Sequence, residues 1–206
     1  MNLKSFQEKK KKRLEELQGK LELARGISAK NLAVQIRQIG FGCKRCGECC
    51  TGEDNSVVVF PFEIRRIMAA AHEPWQALVE PPSEGEWDER GNFHTLEWRL
   101  KKKSCSCMFY SEKGCMCYES RPLLCKTYPF YLDDGILCFS ECRGLGAKIG
   151  AKESEEIAAR LIERNVTEII EATALLEKYE DFERGRPSRN GACIIHDSEG
   201  EHRMPL

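Results

Sequence analysis

Apolar positions along this chain follow a helical period at both ends and a shorter, strand-like rhythm between them. Over residues 3–24, Leu14, Leu17 and Leu21 recur at i, i+3 and i+7 among charged neighbours, which predicts a helix with one apolar stripe. Gly26 ends it, Ser28 is placed to cap a short second helix over residues 31–39, and Gly40 stops that one. Towards the other end, Ile157, Leu161, Ile162, Val166, Ile169, Ile170, Leu175 and Leu176 build a broad apolar face over residues 154–183. Ser154 reads as its N-cap, with Glu155 and Glu156 in the first turn where the helix dipole favours acid. Such a face needs a partner surface, so this helix is expected to pack on the rest of the chain.

Between these helices, residues 56–60 read as a strand leading through Pro61 into a helix over residues 62–71. Residues 73–92 carry Pro74, Pro81, Pro82, Gly85 and Gly91 and read as a loop. Residues 93–100 alternate as one strand, and residues 192–206 can form a hairpin turning at Ser198, Glu199 and Gly200. The organisation expected is a basic helical segment over 1–40, a central domain over 41–150, an amphipathic helix over 151–183 packing on it, and a tail over 184–206.

Charge follows the same division. Residues 1–40 hold ten Lys/Arg against four Asp/Glu, and residues 151–206 hold eight against thirteen, in a chain of net charge −1. The run from Lys9 to Arg13 offers nucleic acid or an acidic surface a contact within the basic segment 1–37. Glu15, Glu16 and Glu22 dilute that patch, and a solvated helix face is the simpler reading. No apolar run approaches the roughly 18 residues of a membrane helix, so no membrane association is expected. The N-terminus has no apolar stretch behind its charges, as a secretory signal would. The expectation is therefore a cytoplasmic protein in a reducing compartment, where cysteines serve as metal ligands or redox groups rather than disulfides.

That expectation matters because the chain has 12 cysteines, eleven of them within residues 41–150. The first cluster runs Cys43, Cys46, Gly47, Cys49, Cys50. Thiols at intervals of three can wrap one metal centre, and Gly47 allows the positive φ that brings backbone N–H groups close to sulfur. Cys49 and Cys50 are adjacent, so their side chains are expected to diverge, one closing a first site and the other reaching a second, as the last cysteine of some ferredoxin runs does. The second cluster holds Cys105, Cys107, Cys115, Cys117 and Cys125, with Pro122 opening a short helix that places Cys125 about one turn in. The third holds Cys138 and Cys142, followed by Gly144 and Gly146.

These residues resemble the YkgJ-like CxxCxxCC cysteine-cluster family, described as a zinc- or iron-chelating domain. The matching positions are Cys43, Cys46, Gly47, Cys49 and Cys50, then Cys107, Phe109, Gly114, Cys115, Tyr118, Arg121, Pro122, Cys125, Lys126, Tyr128, Pro129 and Phe130, then Cys142, Gly144 and Gly146. The resemblance covers about residues 41–150 and implies a metal centre more firmly than any reaction. It departs from the pattern by adding Cys105, Cys117, Cys138 and Cys193. A related cluster occurs in flagellin lysine-N-methylases, which supplies an enzymatic alternative.

Eight matching cysteines, Cys43, Cys46, Cys49, Cys50, Cys107, Cys115, Cys125 and Cys142, can serve two four-thiolate zinc sites, two 4Fe–4S clusters, or one cluster with free thiols to spare. Thiolate softness selects zinc or iron–sulfur over calcium or magnesium, and the tight spacing favours iron–sulfur. The surplus cysteines read as buried small hydrophobes. His196, near Cys193, reads as a surface residue, and His72, His94 and His202 form no pattern. Arg121 reads as a bridge fixing its loop, and Tyr118, Tyr128 and Phe130 as groups excluding water from the site. There is no phosphate loop, nucleophile elbow or zinc-hydrolase motif, so no catalytic residue is assigned. The expected fold is α+β, a small cysteine-rich, metal-stabilised domain flanked by N- and C-terminal helices. Its expected role is electron transfer, metal handling or maturation of a protein partner. A zinc-stabilised nucleic-acid or protein adaptor is the third reading.

Overall fold

Glycine and serine punctuate the N-terminal helices as the pattern predicts. In a computed structural model, which describes residues 3–52 and 55–206, helix α1 spans Leu3–Arg25 and ends where the Gly26 N–H donates to the Leu23 carbonyl at 3.0 Å. Helix α2, Ala29–Ile39, is capped by Ser28, whose side chain accepts from the Asn31 N–H, and stops at Gly40 with φ of 77°. Helices α3 (Pro61–Ala71), α4 (Trp75–Leu78), α5 (Leu123–Thr127) and α6 (Ala151–Lys178) follow. With the strands between them they make the α+β arrangement that the sequence pattern predicts.

The structure corrects several element boundaries. Helix α6 begins three residues before Ser154, which lies buried within it and donates its hydroxyl to the Ala151 carbonyl at 2.7 Å. It ends at Lys178 rather than at 183, and Lys10 Nζ donates to the carbonyls of Glu177 (2.8 Å) and Tyr179 (2.9 Å) that the end of the helix leaves open. The expected loop over 73–92 contains α4 and two short strands, Val79–Glu80 and Glu86–Trp87. The expected single strand over 93–100 is two, Phe93–Leu96 and Trp98–Leu100. They part at Glu97, whose φ of 62° turns the backbone out of the strand while its N–H donates to the His196 carbonyl.

The chain forms two compact units. One comprises residues up to Gln18 with Ser56–Lys101 and Ile170–Leu206; the other comprises Gly19–Asn55 with Lys102–Ile169. The first unit is built on a four-stranded sheet in the order Gly200–Pro205, Ala192–Asp197, Phe93–Leu96, Glu86–Trp87. Its central pair, Ala192–Asp197 and Phe93–Leu96, is parallel, and the C-terminal hairpin is antiparallel with Asp197 opposite Gly200. Asp197 fixes that hairpin. Its Oδ1 accepts from the Glu199 and Gly200 N–H groups, and its Oδ2 accepts from buried Trp98 Nε1 at 2.9 Å. A three-stranded sheet, Val58–Val59, Trp98–Leu100, Val79–Glu80, completes the unit.

The second unit has its own apolar core. Leu32, Ala33 and Ile36 of α2 pack with Phe130, Ile149 and the α6 residues Ala158 and Leu161, and Phe41 meets Phe130 edge to face at 5.6 Å. The periodicity that predicted α6 as an amphipathic helix thus identifies its core face correctly over this stretch. Short hairpins, turns and α5 in this unit carry the cysteines.

Candidate metal centre

The first cysteine run is shaped by Gly47. Its φ of 79° is the left-handed value expected there, and a Cβ at this position would lie 2.2 Å from Tyr110 Oη, so a larger residue would be strained and would displace the Tyr110 ring. The turn that follows, Glu48–Cys50, is 3-10 helical and is closed by the Cys50 N–H donating to the Gly47 carbonyl at 2.8 Å. This tight turn brings the sulfurs of Cys49 and Cys50 to 3.9 Å, so the two side chains do not diverge as expected of neighbours.

Backbone pairing then carries the second cluster to the first. The Gly52 N–H donates to the Cys105 carbonyl at 2.8 Å, and Thr51 bridges Ser106. Two minimal hairpins follow, with Lys102 opposite Cys107 and Tyr110 opposite Cys115. Helix α5 presents Cys125 and is held by Thr127, which is buried, donates to the Leu123 carbonyl and accepts from Arg164 Nη1 at 3.0 Å. Arg121 fixes the approach to α5 as a structural bridge. Its Nε donates to the Tyr118 carbonyl at 2.7 Å, and its guanidinium lies over the Tyr118 ring at 3.4 Å.

These elements gather six thiols, Cys49, Cys50, Cys107, Cys115, Cys117 and Cys125, close enough to influence one another's ionisation. Cys115 and Cys117 lie 3.7 Å apart. The Cys115 thiol is lowered to about 6 because Cys117 donates to its thiolate, and Cys49 is lowered to about 7 by the same service from Cys50. The donors, Cys117 and Cys50, are pushed up correspondingly. Burial, with the charges of Cys107, Cys49 and Cys115, pushes Cys125 up to about 12, and burial raises Cys107. Bringing several thiolates together is unfavourable until a cation lies among them, which is the electrostatic condition of a metal site.

Cys43, Cys46 and Cys142 line a recess of about 200 Å³ together with Cys49 and Cys125. Cys142 accepts a backbone hydrogen bond from the Gly144 N–H at 3.4 Å, the kind of contact that stabilises a thiolate ligand. Cys43, Cys46 and Cys49 are exposed. The contacts among the sulfurs are pairwise; among the described residues no three of these groups close into a finished cage. The donor set, all sulfur and all free thiol, nevertheless suits zinc or iron and no hard cation.

Residues 42–143 match the CxxCxxCC family, described as a "Putative zinc- or iron-chelating domain". The chain belongs to that family. The matched CxxCxxCC segment contains the first cluster, both small hairpins, α5 and Cys142, and leaves Cys193 outside. No solved structure matches the chain.

The four cysteines beyond the CxxCxxCC pattern separate on structural grounds. Cys117 stands among the sulfurs, and reading it as a buried small hydrophobe missed this. The signal available was its C-x-C spacing from Cys115. Cys105 is exposed, Cys138 lies half-buried on the hairpin formed by Phe130–Asp133 and Ile136–Phe139, and Cys193 is buried in the sheet of the first unit. Only Cys193 fits the expectation of a buried filler.

The histidines also depart from expectation. His196 is not a surface residue but is 3% exposed, and its Nε2 lies 2.9 Å from His94 Nδ1. His94 Nε2 in turn reaches Asp88 Oδ2 at 3.2 Å, and Phe182 stacks on the His94 ring at 3.9 Å. Their spacing of 102 positions hides this from any local reading. The network is confined to the first unit and shares no residue with the cysteine centre.

Proposed function

We propose that this chain is a thiolate metalloprotein that binds zinc or iron and exchanges metal or electrons with a partner protein. The observation that carries the reading is the six-thiol group, in which Cys49/Cys50 and Cys115/Cys117 are in contact. Around it, Cys43, Cys46 and Cys142 would complete the ligation. A metal bound there would draw the thiols into their ionised form and supply Lewis-acid or one-electron chemistry according to its identity.

Two neighbouring thiolates on one metal atom suit zinc, or iron in a two-iron cluster, since four cysteines shared by two irons leave two for each. A 4Fe–4S cluster takes one cysteine per iron and would use a single member of each pair. The paired contacts therefore favour zinc or a two-iron centre over the four-iron cluster suggested by spacing alone. Exposure of Cys43, Cys46 and Cys49 leaves the centre open to a partner, whereas a purely structural zinc site is enclosed by its ligands.

Metal analysis with an anaerobic absorption spectrum tests the reading. Zinc in a colourless protein selects the zinc form; iron with matching sulfide and broad visible absorption selects iron–sulfur. Protein purified anaerobically that holds neither metal, and takes up neither on reconstitution, overturns the proposal.

A further inference from the structure

Cys117 lies outside the pattern that places this chain in its family, yet the fold sets it among the sulfurs. The segment Gly114–Cys115 forms the second strand of a two-residue hairpin with Tyr110–Ser111, and the Met116 N–H donates to the Phe109 carbonyl at 2.8 Å. Immediately after, a 3-10 turn begins over Tyr118–Ser120, with the Ser120 N–H donating to the Cys117 carbonyl at 2.9 Å. The chain is thus pinned on both sides of Met116, which is left 66% exposed. Because one outward-facing residue separates them, Cys115 and Cys117 turn to the same side and their sulfurs meet at 3.7 Å.

That separation is informative. A metal atom holding sulfurs at about 2.3 Å in a tetrahedral arrangement places any two of them about 3.8 Å apart. Cys117 is also within electrostatic reach of the Cys107 and Cys125 thiolates. By contrast Cys105, which makes the other C-x-C with Cys107, is exposed and contributes its backbone carbonyl to the Gly52 N–H.

We propose that Cys117 is a metal ligand of this chain and forms with Cys115 a two-thiolate claw on a single metal atom. The inference rests on the reading of the cysteine group as a zinc or iron centre, and it adds a ninth thiolate to the eight that match the family pattern. Met116, held out by the turn, allows the pair to close without moving the hairpin.

The full chain loaded with cobalt(II) in place of the native metal tests this, because sulfur-to-cobalt charge-transfer absorption reports thiolates bound to the ion. The variants are Cys115→Ser, Cys117→Ser, Cys117→Ala and Cys105→Ser, compared by charge-transfer intensity, bound cobalt per chain, and the rise in Tm on adding metal. The expected result is that both Cys117 variants lose intensity and a part of the metal-induced Tm rise, as Cys115→Ser does, while Cys105→Ser matches the parent protein. If Cys115→Ser lowers all three measures and both Cys117 variants leave them unchanged, the claw is overturned and the metal centre stands. If the parent protein shows no charge-transfer band and binds no cobalt, the underlying reading fails instead, and the claw fails with it. Equal loss in Cys105→Ser would also overturn the assignment, since it would make the effect one of hairpin integrity rather than ligation.

Discussion

The Gly52 N–H and the Cys105 carbonyl meet at 2.8 Å, and this backbone bond, beside the Thr51–Ser106 bridge, joins two cysteine clusters that are more than fifty residues apart in the chain. The residues between them include the strand–helix segment of the other compact unit. The sulfur group therefore depends on a contact that neither cluster encodes alone.

Gly52→Pro removes that donor and forces a φ near −65° on a residue at 113°. The combined cost exceeds about 1.4 kcal/mol, so metal affinity should fall at least about tenfold. Competition with a chelator of known affinity measures this. Tryptophan fluorescence should stay unchanged, because all three tryptophans, Trp75, Trp87 and Trp98, belong to the other unit.

Leu161 is 1% exposed in the core shared by α2 and α6. Leu161→Ala should destabilise the chain by about 2–5 kcal/mol through lost burial and the cavity left behind. Urea unfolding of metal-free and metal-loaded protein provides the value. Exposed Leu23 serves as the comparison, where Leu23→Ala should change stability by less than about 0.5 kcal/mol.

Asp88 links the first unit's stability to acid. Burial alone would raise its carboxyl, but hydrogen bonds from the Asn92 N–H (2.7 Å) and Asn92 Nδ2 (2.8 Å), with a further one from His94, hold it down at about 2. A carboxyl lowered on folding stabilises the native state above its unfolded value, about 3.9, and loses that contribution as pH falls towards 2. Asp88→Asn should therefore be less stable at pH 7 by about 1–3 kcal/mol. The gap should close between about pH 4 and pH 2 when unfolding is measured across that range. A gap that persisted at pH 2 would show that Asp88 acts through packing rather than charge.

Thiol reactivity should separate the members of each pair in metal-free protein. With Cys115 at about 6 and Cys49 at about 7, both are largely thiolate at pH 7.5, whereas Cys125 at about 12 is not. Iodoacetamide should modify Cys115 and Cys49 at least about a hundredfold faster than Cys125, resolved by peptide mass spectrometry. The rate at Cys115 should rise through about pH 6 and then level off. Loading with zinc should suppress both fast reactions.

Local chemistry wrote several features legibly. Gly26, Ser28 and Gly40 placed the first two helices because caps and left-handed glycines act within one turn. Gly47 announced its positive φ for the same reason. The apolar period identified the core face of α6 but not its ends: Ser154 lies inside the helix, and Lys10, over 160 positions away, donates to the Glu177 carbonyl in its last turn. Glu97 broke an alternating stretch into two strands by adopting a backbone angle that alternation does not encode.

By itself the sequence determined that this is an α+β chain of the CxxCxxCC family, with soft sulfur donors suited to zinc or iron, because residue type and short-range spacing fix ligand chemistry. The tertiary structure decided which thiols meet. It brought Cys49 against Cys50 and Cys117 against Cys115, left Cys105 at the surface, buried Cys193 in a separate unit, and joined His94 to His196. The two sulfur pairs arise from tight local turns whose geometry spacing alone does not specify, whereas the His94–His196 pairing is made across a hundred residues and leaves no trace in the spacing of either partner.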